Sequence, residues 1–272
     1  MSAHAAEAEL RPAADTTLFQ QSPANNMGAH SHVAVGVTAL GTAARGLFRF
    51  DLSSIPTNAI VQSVTITFDL ATIGRPDSTG NSHAVHRMLK SWGEGTKSGN
   101  TGAAATTGEA TWNHSALPTT WTSPGGASET DFTAEPSSTQ NLGPAPGVYT
   151  IANTAGLVSD VQQWISNPHQ NFGWIVKAVD ETVTLTARRF SSRETAAAPL
   201  LRIEYNVTPV ERPTFTAIDR VGANIVLRWI GGASVLESSG DLTATWEEIT
   251  LGATSEFTEP LTSTNRFYRL RN

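Results

Sequence analysis

Cysteine is absent from this chain of 272 residues, which excludes disulfide bonds, thiol catalysis and cysteine-ligated metal sites. The sequence also has no apolar run close to the ~20 residues that span a bilayer. Charged residues are scarce, at 15%, and the net charge is −6. The chain therefore lacks the basic character that attracts nucleic acid or anionic membranes.

Long runs rich in Leu, Ala, Glu and Lys are missing as well, whereas Gly and Thr are abundant. The hydrophobic content of 39% is that of a globular protein. Without long helical runs, this composition predicts an all-β protein. The length allows one large β domain or two domains with separate cores.

Alternating apolar and polar residues predict strands, as in "GLFRFDL" and "VTITFDL". Leu157, Val161 and Trp164 fall at helical spacing and predict one short helix, with Asn153 or Thr154 as its N-cap. The prolines of "TPVERP" indicate a linker. We expect a large jelly-roll β-sandwich with one short helix at residues 10–207. A small immunoglobulin- or fibronectin-like β-sandwich should follow at residues 213–272.

The opening "MSAHAAEAEL" lacks the apolar core of a signal peptide. It does contain the small-residue patterns "AHA" and "AEA", which are typical of the surroundings of a signal cleavage site. We interpret it as the start of a mature exported protein to which a methionine was added. An ordinary cytoplasmic N-terminus is the alternative. The first interpretation predicts a secreted or cell-surface protein.

Several motifs follow one another between residues 14 and 205. They include "ADTTL", "GLFRFDLSSIP", "HRMLKSWGEGT", "GEATWNH", "LVSDVQQWISNPHQNFGWIVK", "RRFSSRE" and "PLLRIEY". In this order they resemble the DNRLRE domain, which is related to carbohydrate-binding module family 96. The resemblance implies a secreted β-sandwich, and some relatives bind acidic polysaccharides such as alginate. The final "RFYRLRN" resembles short C-terminal modules of exported bacterial proteins that have no activity of their own.

Motifs of known catalytic chemistry are not found. The chain has no HExxH, no GxSxG and no phosphate-binding glycine loop. His83 and His86 lie three apart in a strand-like segment, so they should point to opposite faces, and we interpret them as surface residues. Glu94 and Glu109 are the carboxylates in aromatic loop settings. A non-catalytic protein is favoured, and a lyase that uses His or Tyr with Arg stays open.

Binding of acidic sugars requires aromatic faces for pyranose C–H groups and cations for carboxylates. Trp92, Trp112 and Trp121 lie in or beside loops within residues 93–147, where they could stack on sugar or plug the end of the sandwich. Of Arg188 and Arg189, only one can face a ligand, because neighbours on a strand point to opposite faces. The predicted ligand-binding residues are Arg45, Arg49, Arg87, Lys90, Trp92, Arg188 and Arg189.

Two further sets of charged residues have predicted structural roles. Arg193 and Glu194 follow Ser191-Ser192, and we expect an ion pair between them to tie a loop down. β-Sandwich binding modules often hold one structural calcium ion with acidic side chains and main-chain oxygens. Asp15, Asp51 and Asp131 are the candidate ligands for such an ion.

Three functions follow from these observations. The first is an extracellular, non-catalytic polysaccharide-binding protein for acidic glycans. The alternative is a structural or adhesive surface or matrix protein whose sandwiches pack against copies of itself. The third is a polysaccharide-degrading enzyme. The expected partners are a polysaccharide or copies of the same chain, and not nucleic acid.

Overall fold

The computed structural model describes residues 4–73, 81–143, 145–207, 212–231, 235–249, 255–262 and 264–271. The chain divides into a larger compact unit, residues 2–208, and a smaller one that contains residues 209–272. Strands dominate both units, and the described residues contain one α-helix. The prediction of an all-β sandwich with one short helix is therefore confirmed.

The larger unit contains fifteen of the described strands. They are β1 His4–Leu10, β2 Pro12–Phe19, β3 Asn25–Asn26, β4 His32–Val37, β5 Ala43–Phe50, β6 Ala59–Ile73, β7 Asn81–Arg87, β8 Ala103–Ala104, β9 His114–Ala116, β10 Thr119–Thr120, β11 Ser138–Leu142, β12 Gly147–Ile151, β13 Trp174–Ala178, β14 Arg188–Ser191 and β15 Leu200–Val207. Helix α1 spans Ala155–Ser166, and a 3₁₀ turn follows at Pro168–Gln170.

Eleven of these strands form one curled antiparallel sheet in the order β1-β15-β6-β14-β4-β5-β13-β7-β11, with β12 beside β6 and β2 beside β5. Strand β4 links the two halves of this sheet. It pairs with β14 as far as Val35, and then Gly36 and Val37 pair with β5. The φ angle of Gly36 is 113°, and a Cβ there would lie 2.5 Å from the carbonyl oxygen of Thr186. Only glycine fits this crossing without strain.

The main core fills the space between the two halves of the sheet. The rings of Phe68 and Phe190 lie 4.7 Å apart, and those of Trp164 and Trp174 lie 4.5 Å apart. Each buried aromatic or aliphatic side chain of this kind contributes about 1.5–3 kcal/mol. Helix α1 packs on this core through its predicted apolar face, because Leu157, Val161, Trp164 and Ile165 are all buried.

The two candidate caps of the helix have different roles. Thr154 is the N-cap, and its Oγ1 accepts a hydrogen bond from the N–H of Leu157 at 3.2 Å. Asn153 instead accepts the N–H of Val64 in β6 at 2.9 Å through its Oδ1. Thr154 thus begins the helix, and Asn153 attaches the segment before it to β6.

Strand β1 precedes residue 10, where the larger domain was predicted to begin. It pairs with β15 over its whole length, from His4 opposite Val207 to Leu10 opposite Leu201. Ala6, Ala8 and Leu10 pack against the main core. The segment that we interpreted as the surroundings of a cleavage site is therefore part of the sandwich. In the described ranges, no helix combines the length and the apolar character needed to cross a bilayer.

In the residues that the structure describes, the smaller unit contains two three-stranded antiparallel sheets. One has the order β16-β17-β20 and the other β19-β18-β21. The strands are β16 Thr214–Val221, β17 Asn224–Ile230, β18 Val235–Ser239, β19 Glu247–Ile249, β20 Glu256–Pro260 and β21 Phe267–Arg271. Leu227, Trp229 and Leu236 form its core.

Candidate functional site

The three loop tryptophans are buried, with 5% of Trp92, 7% of Trp112 and 3% of Trp121 exposed. They form a second apolar core together with residues such as Leu47. The indole N–H of Trp92 donates to the carbonyl oxygen of Phe172 at 2.7 Å. The prediction that Trp92 contacts a ligand is therefore wrong, because a sugar cannot stack on a ring that is already covered.

Arg45 and Arg49 share one face of β5, and both cover these tryptophans. The guanidinium of Arg45 lies 5.2 Å from the ring centroid of Trp112, and that of Arg49 lies 5.5 Å from the ring centroid of Trp92. Arg45 also forms an ion pair with Glu181 at 2.6 Å. Arg45 thus braces the loops, which corrects its prediction as a ligand contact. Arg49 packs on a core tryptophan and is partly exposed, and its role as a ligand contact stays a prediction.

Arg87 and Lys90 also bind the protein itself. Arg87 lies 3.1 Å from a carboxylate oxygen of Asp160 and hydrogen-bonds to Gln163. Lys90 donates to the carbonyl oxygen of Thr120 at 2.8 Å and lies 3.5 Å from Asp131. Both side chains are partly exposed, and their role as ligand contacts stays a prediction.

Arg188 and Arg189 point to opposite faces of β14, as their positions require. Arg188 is 0% exposed, and its guanidinium donates to the carbonyl oxygens of Gly143 at 3.2 Å and Ala187 at 3.1 Å. Burial lowers the pKa of Arg188. A ligand cannot reach Arg188, so its predicted ligand contact is wrong, whereas Arg189 is exposed.

Arg193 does tie its loop down, but its main partner differs from the one predicted. Its guanidinium donates to Glu94 at 2.6 Å, whereas Glu194 lies 4.0 Å away. The N–H of Arg193 donates to Asp15 at 2.7 Å, and the N–H of Asp15 donates to Glu94 at 2.8 Å. Glu194 instead accepts the hydroxyl of Ser192 at 2.8 Å. The clamp joins three distant segments of the chain.

The electrostatics of this clamp affect Asp15. Burial raises the pKa of Asp15 to about 8, and the charges of Glu194 and Glu94 add to the rise. The hydrogen bond from the N–H of Arg193 acts in the opposite direction. Asp15 is therefore mostly protonated at neutral pH, which makes it a poor ligand for a cation.

The predicted calcium ligands do not come together. Asp51 accepts the N–H of Ser53 at 2.9 Å at the surface. Asp131 is buried and accepts the N–H groups of Thr122 and Ala127, each at 2.8 Å. In the part of the chain that the structure describes, no three His, Asp or Glu side chains lie close enough to hold a metal ion. The calcium prediction from these three aspartates is therefore corrected.

Glu109, the second loop carboxylate, also has a structural role. Its carboxylate accepts the N–H of Thr96 at 2.9 Å and the N–H of Thr106 at 2.7 Å. Burial would raise the pKa of Glu109, but these hydrogen bonds, together with Lys97, lower it to about 2. The carboxylate holds the long loop closed.

His83 and His86 are buried, with exposed fractions of 1% and 7%, so their interpretation as surface residues is wrong. Nδ1 of His83 bonds to the carbonyl oxygen of Asn81 at 2.9 Å, and Nδ1 of His86 to that of Thr133 at 2.8 Å. Both rings are parts of the folded framework.

A cleft of about 190 Å³ lies beside β4, where that strand crosses between the halves of the sheet. Most of the lining is apolar, and the polar part consists of two imidazoles, a guanidinium, an amide and a hydroxyl. The lining residues are Phe19, Met27, His30, His32, Ala34, Val37, Thr38, Ala39, Ala44, Asn100, Leu185, Ala187 and Arg189. None of these described lining residues is acidic.

Arg189 is the cation of this cleft. Its position opposite Ala34 in the β4–β14 ladder places it at the lining. Within the described residues, the guanidinium of Arg189 makes no hydrogen bond, ion pair or ring contact, unlike those of Arg45 and Arg193. Arg189 is therefore exposed at the cleft, and its role as a ligand contact stays a prediction.

Two histidines beside Arg189, His30 and His32, were not among the site residues that the sequence predicted. The ring centroids of His30 and His32 lie 5.7 Å apart. The N–H of Gly99 points to Nδ1 of His30 at 3.4 Å, so the neutral ring carries its proton on Nε2 and offers a donor there. Burial lowers the pKa of both imidazoles, and the charge of Arg189 adds to this effect. The signal was the "HSH" spacing, in which two histidines lie two residues apart at the start of β4.

The fold and the cleft together describe a β-sandwich with a small cationic cleft that has an apolar floor. No protein-family model matches the chain, and no curated protein matches it. The chemistry of the cleft itself therefore has to indicate what it binds.

Proposed function

We propose that the larger unit is an extracellular, non-catalytic module that binds an acidic glycan in the cleft beside β4. The observation that carries this proposal is Arg189. It is an exposed guanidinium that has no partner within the described residues, and it lies at a cleft whose described lining has no acidic side chain.

The other polar groups of the cleft suit the same ligand. A guanidinium binds a carboxylate or sulfate group through two parallel hydrogen bonds. His30 and His32 add donors for sugar hydroxyls or for a second anionic oxygen. Ala34, Leu185 and Ala187 are partly exposed at the lining and offer an apolar surface for the C–H groups of a sugar ring. Catalysis is not part of this proposal.

The resemblance of the motif order to the DNRLRE domain supports the same function. We propose that the larger unit is a distant member of that group and that the protein acts outside the cell. The β-sandwich fold agrees with this relationship but is shared by many unrelated proteins.

Affinity gels that contain alginate, polygalacturonate or chondroitin sulfate test the proposal. At least one of these polysaccharides should retard the wild-type protein. Arg189→Gln should weaken the retardation roughly tenfold or more, since a charge-assisted hydrogen bond contributes about 1.5–3 kcal/mol. Arg11→Gln is the matched control. It removes the same charge at another exposed position, where the described bond is to the carbonyl oxygen of Ala196.

Three outcomes would contradict the proposal. Equal weakening by Arg189→Gln and Arg11→Gln would mean that only the net charge matters. If no polysaccharide retards the protein and the chain polymerises, the structural or adhesive function is favoured. New reducing ends or unsaturated sugar absorbance, lost in His30→Gln, would indicate an enzyme.

A further inference from the structure

We infer that the cleft holds one terminal acidic sugar residue that carries a methyl or acyl group, and not an internal stretch of a polysaccharide. This inference rests on the proposed function and names the ligand class of the same cleft.

The size of the cleft limits the ligand. Its volume of about 190 Å³ is smaller than the ~300–1,000 Å³ of pockets that enclose drug-sized molecules. One sugar residue fills such a space, and a second residue has to remain outside it. A chain end presents a single residue of this kind, whereas an internal residue has neighbours on both sides.

The floor of the cleft limits the chemistry of that residue. Phe19, Met27 and Ala44 form a small apolar cluster, distinct from the two larger cores, and the partly buried Ala34 packs against it. A plain uronic acid carries hydroxyl groups on most of its ring carbons, and burying a hydroxyl against apolar atoms without a partner is costly. A methyl or acyl group matches this surface and leaves the carboxylate for Arg189.

Alanines create the room for this group. Ala34, Ala39, Ala44 and Ala187 all line the cleft. A larger side chain at one of these positions would occupy the volume that we assign to the methyl or acyl group. These alanines therefore determine the specificity, whereas Arg189 determines the charge preference.

A matched pair of monosaccharides tests the inference. Glucuronic acid and 4-O-methylglucuronic acid have the same charge and differ by one methyl group. Titrations followed by amide chemical shifts should show that the methylated acid binds roughly fourfold more tightly, which is the effect of burying one methyl group. Galacturonate oligomers longer than a dimer should bind with no higher affinity than the galacturonate dimer.

Cavity-filling variants locate the effect. Ala34→Leu should abolish the preference for the methylated acid while binding of glucuronic acid still depends on Arg189. Ala187→Val fills the same space with fewer atoms and gives the same test if Ala34→Leu does not fold. Ala152→Leu is the control, because Ala152 is exposed and is not part of the cleft lining. It should keep the preference.

The two proposals fail in different ways. If both acids bind equally and through Arg189, or if affinity rises more than tenfold from dimer to hexamer, the single-residue inference is overturned and the proposed function stands. If a polysaccharide binds through Arg189 but neither monosaccharide binds, the single-residue inference is likewise overturned and the proposed function stands. If no glycan binds and Arg189→Gln changes nothing, both proposals fail.

Discussion

The buried imidazole of His83 should make the stability of the larger unit depend on pH. His83 lies in β7 and is 1% exposed. Its Nδ1 donates to the carbonyl oxygen of Asn81, and this bond and the main chain of Thr186 oppose the lowering of its pKa only in part. Burial lowers the pKa of His83 from 6.5 to about 4, and the charge of Arg188 adds to this effect. The folded protein therefore holds the ring in its neutral form.

The size of the effect follows from the two pKa values. Above about pH 6.5 the ring is neutral in both the folded and the unfolded state, and it contributes nothing to the pH dependence. Between 6.5 and about 4 the unfolded chain binds the extra proton first, so stability falls as the pH falls. At ~1.4 kcal/mol per pH unit, the complete loss is about 3 kcal/mol.

Urea unfolding of the wild type and of His83→Gln, followed by tryptophan fluorescence, measures this loss. The variant lowers stability by an amount that does not depend on pH, because glutamine has no ionisable group. Between about pH 7.5 and about pH 4.5, the wild type should lose about 2.5 kcal/mol more than the variant. Other titrating groups contribute equally to both proteins. Parallel pH profiles would refute the reasoning.

Two further predictions concern stability. Gly36→Ala should lower the free energy of unfolding by at least about 1 kcal/mol, because its φ is 113° and the new Cβ would lie 2.5 Å from the Thr186 carbonyl oxygen. Gly41→Ala, where φ is also positive but nothing lies within 4 Å of the new Cβ, should lose less in the same thermal denaturation. Equal losses would contradict the steric argument. For Asp15, the folded state keeps a proton that the unfolded chain releases above about pH 3.8, so stability should fall as pH rises towards 8. Melting temperatures of Asp15→Asn should lack this fall, and parallel profiles of the wild type and the variant would disprove it.

Local patterns predicted most of the fold. The spacing of Leu157, Val161 and Trp164 defined the helix, because these residues meet the core at a fixed angular period. The alternation in "VTITFDL" predicted a strand in the same way, and Val64, Ile66 and Phe68 of β6 are buried. Strand β1 was missed because its alanines also match a cleavage pattern. Its partner, β15, lies almost 200 residues further along the chain.

The site was less predictable, since it depends on pairing between distant segments. The sequence showed that Arg188 and Arg189 face opposite ways, but only the neighbouring strands decide which one is buried. It could not show that Arg193 pairs with Glu94 and not with the adjacent Glu194. The "HSH" spacing was visible, but only the fold brings Arg189 to the same cleft.

The edge strand β1 bears on whether the chain packs against copies of itself. In the described sheet it stands at one end, with β15 on one side, and an edge of this kind can accept a strand from another molecule. Its exposed acidic side chains are Glu7, which forms an ion pair with Arg202 of β15 at 2.6 Å, and Glu9. A second copy that added its own β1 would bring the Glu9 side chains of the two chains to the same seam. Assembly through this edge is therefore opposed by like charges at neutral pH, and acid or high salt would weaken that opposition.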